Sequence, residues 1–274
     1  MSQLTTLYIN SKDRINYSNT SSTDFKINIQ PFGLMGVKSF VIKSATIPFS
    51  NYVSSYTNDN TLHPGSQYFT LIEGVGLNSV TILIPFGNYS YIDIVNFISI
   101  ALNSSGNSLL YKPYTVTYDT NNNKYTIKSS SNLGFSLLFS QQYQNQPFYK
   151  MISYVLGFPD VDVSSSLVGS TTEITSTFVS NLSGGMNIYI KSDTLTYGNS
   201  NFFNNKLNSV ICAIPVNVSP NSIIAYYDQQ FLQQRCRSPI ISTITIQLVD
   251  EYDNLIDLNG LDWSCVICFY NDVN

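Results

Sequence analysis

Cysteine is the residue of this sequence whose spacing most directly suggests chemistry. Cys265 and Cys268 form a C-x-x-C pair, the spacing found in zinc sites and redox dithiols. They lie in the segment WSCVICF, however, where a β-strand directs side chains three residues apart to opposite faces. Cys212 and Cys236 supply no second pair. We therefore interpret the thiols as buried and reduced, and we expect no metal, no cofactor and no disulfide.

A run of carboxylates near the C-terminus offers a second possible chemistry. It comprises Asp250, Glu251, Asp253, Asp257 and Asp262. Hard oxygen ligands of this kind suit Ca²⁺, but the run lacks the spacing and the glycine of an EF-hand loop. Asp and Asn also stabilise turns through hydrogen bonds to their own backbone. We therefore favour a polar β-hairpin turn over a calcium site.

The chain contains one histidine, His63, in the loop sequence TLHPGS. Histidine is the usual proton shuttle near neutral pH, but no nucleophile motif accompanies it. The sequence also lacks a GxSxG elbow, a GxxxxGK[ST] phosphate loop, a GxGxxG turn and an HExxH helix. We expect a solvated His63 and a protein that is not an enzyme. The competing hypothesis, a hydrolase on a β scaffold, predicts an activity that is lost on replacing His63 or one of the clustered carboxylates.

The charge of the chain is low and scattered. Charged residues make up 11% of the sequence, against roughly 25% in average soluble domains, and the net charge is −4. Lysines and arginines occur singly, so they form no basic face that could neutralise phosphates. Tyr226, Tyr227 and Phe231 could stack on sugars or bases, but no basic track lies beside them. We therefore expect no direct nucleic-acid binding and assign these aromatics to core and interface packing.

Aromatic and amide side chains take the place of the missing charges. The chain has 20 Tyr and 16 Phe, and its mean hydropathy is +0.01. Copies of such a chain repel one another weakly, and aromatic residues are enriched at protein interfaces. We therefore expect an oligomer that works through its surfaces.

Membrane and export signals are missing from the sequence. The opening MSQLTTLYINSKDR has no basic region followed by an apolar stretch. Nothing later approaches the roughly 18 apolar residues of a membrane span. We expect no membrane span and an aqueous, intracellular compartment.

Alternating apolar and polar residues predict strands at both ends of the chain. Together they number about eight, which is the count of a jelly-roll sandwich. We therefore predict a mainly β protein built on a single jelly roll. The predicted strands are 4–10, 25–29 and 37–49 before a middle segment, and 186–193, 209–217, 223–228, 242–251 and 263–270 after it.

The middle segment predicts a small α+β insertion. Ser90 and Asp93 have the spacing of a capping box, and they open the only clear helix, near residues 90–103. Its residues Ile94, Phe97, Ile98 and Ala101 share one face by helical spacing and should pack on a sheet. Strands are predicted at 79–85, 114–119 and 124–130, with less regular strands at 136–139 and 152–158. The stretch 161–179 is interpreted as a connection.

These elements divide the chain into a base and an insertion. Residues 1–55 and 181–274 should form the jelly-roll base. Residues 56–180 should form the insertion domain.

Three segments resemble a known family. They are LYINSKDRINYSNTSSTDFKINI, SFVIKSATIPFSNY and ISTITIQLVDEYDNLIDLNGLDWSCVICF. They resemble the minor capsid, or penton, proteins of virophages and polinton-like viruses, with Asn254 at the position of a glycine-like turn. The middle segments GNYSYIDIVNFISIALN and YTVTYDTNNNKYTI, with LGF at 156–158, resemble the insertion common in that family.

The resemblance implies a structural virion protein. It implies a single jelly roll that assembles as a homopentamer at the capsid vertices, among trimers of a double jelly-roll major capsid protein. It implies a location in the virion after synthesis in the host cell cytoplasm, with the insertion facing outward where a host-surface receptor would bind. The alternative from the aromatic-rich and amide-rich insertion is a receptor-binding or carbohydrate-binding β module on a virion surface.

Overall fold

The computed structural model describes eleven stretches of the chain. They form two compact units, Met1–Asn51 with Gly185–Asn274, and Tyr52–Gly184. The boundaries expected from the sequence are residues 55 and 180. No helix within the described stretches is long and apolar enough to cross a membrane. The described residues are 2–15, 20–29, 33–50, 68–74, 78–85, 87–139, 152–182, 184–196, 209–230, 233–251 and 253–272.

Strands dominate all three parts of the chain, which are the part before the insertion, the insertion and the part after it. The first part contains β1 (Ser2–Asn10), a 3-10 turn (Ser11–Asp13), β2 (Asp24–Asn28), β3 (Leu34–Met35) and β4 (Val37–Pro48). The second contains β5 (Tyr68–Glu73), β6 (Asn78–Leu83), α1 (Tyr91–Asn103), β7 (Tyr114–Asp119), β8 (Lys124–Ser129), β9 (Phe135–Leu138), α2 (Ile152–Leu156), β10 (Val163–Ser164), β11 (Ser166–Val168) and β12 (Thr171–Thr175). The third contains β13 (Asn187–Lys191), β14 (Val210–Pro215), β15 (Ile223–Tyr227), β16 (Gln234–Arg235), β17 (Ile240–Ile241), β18 (Thr243–Val249) and β19 (Ser264–Asp272).

The first unit is an antiparallel sandwich of two sheets. One sheet has the strand order β1-β19-β4-β15, with β16 also paired to β4, and the other has the order β14-β13-β18-β2. The long strands alternate between the sheets along the chain, except that β13 and β14 share one sheet. The first and last strands pair from Ser2 with Asp272 to Asn10 with Ser264. This connectivity is that of a jelly roll, and it confirms the predicted fold class.

The two sheets enclose one apolar core because their strands alternate. In β18, Ile244, Ile246 and Leu248 are 0% exposed, whereas Thr245 and Gln247 lie between them on the outer side. Full burial of such a side chain contributes about 1.5–3 kcal/mol. The core therefore holds the sheets together and leaves the alternate residues of each strand free for other contacts.

The second unit contains the predicted helix. Its sheets have the orders β10-β9-β5-β6 and β11-β12-β8-β7, and α1 packs against β7. Ser90 caps the helix, since its Oγ accepts from Asp93 N at 3.3 Å while Asp93 Oδ2 accepts from Ser90 N at 3.0 Å. Hydrogen bonds from Ser90 lower the pKa of the Asp93 carboxyl. Ile94 and Ile98 are each 1% exposed, and Phe97 and Ala101 pack beside them, as predicted.

Two local predictions in this unit are wrong, and one strand is not predicted. Residues 152–158 do not form a strand, because Ile152–Leu156 is a helix that buries its first, second, fourth and fifth residues. Residues 161–179 are not a plain connection, because β11 and β12 form an antiparallel pair there. Tyr68–Glu73, a segment for which no prediction is made from the sequence, is the strand β5. Short or discontinuous apolar patterns do not separate strand, helix and loop without knowledge of their neighbours.

Gly157 ends the short helix α2 and cannot accept a side chain. Its φ is +78°, and a Cβ atom there would lie 2.9 Å from Val179 C and still closer to the carbonyl oxygen of Phe178. Left-handed backbone costs a non-glycine residue about 1–2 kcal/mol before any clash is counted. We expect Gly157→Ala to lower the free energy of unfolding by about 3 kcal/mol or more, measured by urea titration.

Gly169 provides the matched control for this substitution. Its φ is +64°, but no atom lies within 4 Å of a Cβ built there. Gly169→Ala should therefore cost only the backbone strain, about 1 kcal/mol. Equal effects of the two substitutions would contradict the argument from close packing.

Candidate functional site

The cysteines of the sequence do not form a reactive centre. All four are free thiols, and Cys265 packs in the core while Cys268 lies 3.8 Å from Thr6 Oγ1 on the other face of the sheet. Burial raises the pKa of Cys212 to about 11 and that of Cys265 to about 12. Both thiols are therefore neutral near pH 7 and are poor nucleophiles and metal ligands.

The carboxylates of the acidic run each contact a different partner. In the stretches that the structure describes, no group of three or more His, Cys, Asp or Glu residues is placed to hold a metal ion. The left-handed residue of the first turn is Asp253, with φ +69°, and not Asn254, the position suggested by the family resemblance. The contacts are Asp250 Oδ1 to Asn254 N at 2.9 Å, Glu251 Oε1 to Met186 N at 2.9 Å, Asp253 Oδ1 to Lys191 Nζ at 2.5 Å, Asp257 Oδ1 to Asn259 N at 2.7 Å and Asp262 Oδ1 to Arg14 Nη1 at 2.9 Å.

The last of these carboxylates belongs to a polar cluster that joins the two ends of the chain. Asp262 Oδ1 accepts hydrogen bonds from Ser11 Oγ at 2.6 Å and from Arg14 Nη1 at 2.9 Å. Trp263 N donates to Ser11 Oγ at 3.0 Å, and Trp263 Nε1 donates to Ser22 O at 2.7 Å. We call Ser11, Arg14, Asp262 and Trp263 the closing cluster. It lies where β1 ends and β19 begins, so it fastens the first strand to the last.

The ion pair of the closing cluster is largely withdrawn from water. The side chains of Arg14 and Asp262 are 8% and 13% exposed. Burial by itself would raise the pKa of Asp262, but hydrogen bonds from Ser11 and Arg14 and the positive charge of Arg14 outweigh it and hold that pKa below its usual value. The carboxylate is therefore charged at neutral pH, and its role is structural.

The LDLNG segment forms a second structural turn. Asn259 and Gly260 have φ of +52° and +79°, which gives the turn its shape. Asn259 Nδ2 donates to Ser50 O, and Ser50 Oγ donates to Leu258 O at 2.8 Å. The turn is thus tied to the chain that leaves β4, and Leu258 is 1% exposed in the core.

Several polar groups meet at a cleft near the edge strands β14 and β15. Its volume is about 390 Å³, and its lining includes Cys212, Tyr226, Asp228 and Gln234. Asp228 Oδ2 and Gln234 Oε1 are buried and have no hydrogen-bond partner. Burial raises the pKa of the Tyr226 hydroxyl as well as that of Cys212. The cleft can therefore accept hydrogen bonds from a group that enters it.

Two sequence candidates lie outside the described residues. They are His63 and Phe231. Of the other aromatics, Tyr227 is 69% exposed and Tyr226 packs against the core. The residues that sequence reasoning missed as a group are those of the closing cluster, because Arg14 and Asp262 are 248 positions apart.

Comparison with known proteins gives a structural match and no sequence match. No family model and no curated protein matches the sequence. A chain in the cryo-EM structure of the Sputnik virophage is 11% identical, with a TM-score of 0.46 over 98% of this chain and 97% of that one. The crystal structure of the mavirus penton protein is also 11% identical, with a TM-score of 0.52 over 97% of this chain and 99% of that one. The chain therefore shares the fold of the mavirus penton protein along nearly its whole length.

Proposed function

We propose that this protein is a structural virion protein that forms the pentameric vertex of an icosahedral capsid. The observation that carries the proposal is the structural similarity to the mavirus penton protein, which extends over 97% of this chain and includes the insertion. In this proposal, the chain binds four further copies of itself and a major capsid protein of the double jelly-roll type. The protein would be made in the host cell cytoplasm and act in the virion without binding nucleic acid directly.

The described residues agree with a role that depends on shape. The polar clusters of the jelly roll join strands and turns, as the closing cluster does for β1 and β19. Exposed large apolar residues occur on both units, and some of them lie close together, such as Leu167 and Val168. Such surfaces favour association with other protein chains.

Measurement of the assembly state tests the proposal directly. Light scattering of the purified chain should give a mass five times the 30.6 kDa of the monomer, and negative-stain images should show rings with five-fold symmetry. A protein that stays monomeric at the highest attainable concentration, or that forms rings of another symmetry, would contradict the vertex role.

A second candidate function is binding of a host receptor or carbohydrate by the insertion. The observation that favours it is an apolar rim on segments that contact one another. Leu110, Leu133 and Leu167 are 72%, 54% and 64% exposed. Leu110 N donates to Glu73, Gly74 N donates to Gly134 O, and Thr172, opposite Leu167, donates to Leu133 O. Large exposed apolar patches mark interaction sites on soluble proteins.

A glycan array probed with the whole chain and with Leu110→Ser/Leu167→Ser tests this candidate. Specific signals that weaken in the variant would support binding by the rim. Binding by a chain that forms no ring would favour the binding module over the vertex protein.

A further inference from the structure

The outward face of the sheet β1-β19-β4-β15 carries a row of large exposed side chains. In β1, Ile9 enters the core, so its neighbour Tyr8 points outward. Tyr8 lies opposite Val266 of β19, Val266 lies opposite Ser44 of β4, and Ser44 lies opposite Tyr227 of β15. Tyr8 and Tyr227 are 78% and 69% exposed. The row thus places an exposed tyrosine on each of two outer strands.

Further apolar residues extend this row in both directions. Leu4, two positions before Thr6 on the same side of β1, is 54% exposed, and Ile223 of β15 is 63% exposed. From Leu4 to Asn10 of β1, from Ser264 to Tyr270 of β19 and throughout β15, no outward residue is charged. We call Leu4, Tyr8, Ile223 and Tyr227, with the residues between them on the sheet, the tyrosine face.

The size of the tyrosine face suits a stable contact. A buried aromatic side chain covers about 150–250 Å², so the two tyrosines and two aliphatic residues present on the order of 500 Å². One partner in a standard interface contributes about 800 Å². The tyrosine face would therefore supply much of one side of such an interface. Interface cores are enriched in Tyr, and this face carries a tyrosine on each of its outer strands, although β4 between them also carries Lys38 and Lys43.

The other sheet of the sandwich presents a different surface. Phe25 of β2 enters the core, so Asp24, Lys26 and Asn28 point outward, and all three are exposed. Thr243 lies opposite Asn28, and its Oγ1 donates to Asn28 Oδ1 at 3.2 Å. We call this surface, with the outward residues of β18, the polar face. Its hydroxyl, amide and carboxylate oxygens can accept hydrogen bonds from tyrosine hydroxyls.

We propose that the tyrosine face of one copy packs against the polar face of the next copy around the ring. A closed ring of more than two identical chains needs two different patches on each copy. The two sheets of one sandwich provide such patches on opposite sides, and they provide apolar area on one side and hydrogen-bond acceptors on the other. This inference rests on the pentameric assembly proposed above and names the contact that would form it.

Charge substitutions on exposed residues test the contact without disturbing the core. Tyr8→Lys/Tyr227→Lys alters the tyrosine face, and Asn28→Arg alters the polar face. Each variant should raise the concentration at which the ring dissociates by about 100-fold or more, because each buries an unpaired charge in the contact and the first also removes tyrosines, which are frequent hot spots. Ile100→Lys, at a residue of the insertion that is 72% exposed, is the control and should assemble like the unmodified chain. Light scattering gives the assembly state, and circular dichroism melting checks that each variant is folded.

Mixing the two kinds of variant tests whether the tyrosine face of one copy contacts the polar face of the next. Each retains one intact face, so an equimolar mixture should form one-to-one pairs and no rings. Variants that still form rings at the unmodified concentration would overturn the face assignment while the vertex role stands. If the unmodified chain forms an assembly of another symmetry and the variants fail to assemble, the result would support the assignment of the two faces and contradict the pentamer. An unmodified chain that stays monomeric would contradict both.

Discussion

Asp262→Ala is expected to lower the free energy of unfolding by about 3–5 kcal/mol, the usual cost of leaving one partner of a buried ion pair without the other. Asp262 Oδ1 accepts from both Ser11 Oγ at 2.6 Å and Arg14 Nη1 at 2.9 Å. The substitution leaves the Arg14 guanidinium charged and 8% exposed, without its carboxylate. It also loosens the junction of the first and last strands. Urea unfolding followed by circular dichroism measures the loss.

Asp257→Ala is the control for this prediction. Asp257 lies five residues earlier and is exposed. Its Oδ1 accepts a solvent-exposed hydrogen bond from Asn259 N, at 2.7 Å, within a turn. Its loss should cost about 1 kcal/mol or less, which is typical of a single net hydrogen bond. If both substitutions had the same effect, the closing cluster would contribute no more to the free energy of unfolding than an exposed turn does.

The pH dependence of stability provides an independent check on the closing cluster. The folded-state pKa of Asp262 is lowered by its hydrogen bonds and by Arg14, whereas the pKa of an unfolded Asp is about 3.9. A lowered folded pKa contributes stability that is fully present above the unfolded pKa and is lost as the pH falls through the folded pKa. The difference in stability between the unmodified chain and Asp262→Asn should therefore be constant from pH 5 to 7 and shrink below about pH 4. A difference in stability that grows on acidification would contradict the conclusion that folding lowers the pKa of Asp262.

Glu73→Ala should destabilise the insertion by about 3 kcal/mol or more, because it removes the acceptor of three hydrogen bonds and each unsatisfied buried donor costs about 1–3 kcal/mol. Glu73 is 2% exposed. Its carboxylate accepts from Leu110 N at 2.6 Å, from Tyr111 N at 2.7 Å and from Tyr114 Oη at 2.9 Å. Burial and this contact with Glu73 raise the pKa of the Tyr114 hydroxyl, so it remains a donor. The carboxylate therefore ties the segment before β7 to the end of β5.

Glu173→Ala is the matched control within the same unit. Glu173 is half-buried on β12 and lies opposite Lys128 of β8, and pairs of this kind contribute about 0–1 kcal/mol. Hydrogen exchange of the β5 and β7 amides in the whole chain distinguishes local from global loss. Glu73→Ala should accelerate exchange there by orders of magnitude, and Glu173→Ala should not. Unchanged protection in Glu73→Ala would mean that the segment is held by other contacts.

Local sequence patterns were sufficient for the long elements of this protein. Alternation in ISTITIQLV predicts β18, since apolar residues two apart share the face that enters the core. Ser90 and Asp93 predict the start of α1, because a capping box is made by residues three apart. Strand number and order along the chain then favour a jelly roll with an insertion, and the opposite placement of Cys265 and Cys268 follows from strand geometry.

The tertiary structure alone decided which distant residues meet. The sequence places Asp262 in an acidic run, but the pairing of β1 with β19 brings it to Arg14. The sequence shows Glu73 only as an isolated acid, but packing surrounds it with donors from a segment almost forty residues later. The tyrosine face arises because the strand register aligns Tyr8 with Tyr227 across four strands. Periodicity and capping are properties of neighbouring residues and are written in the sequence, whereas register and packing depend on all strands at once.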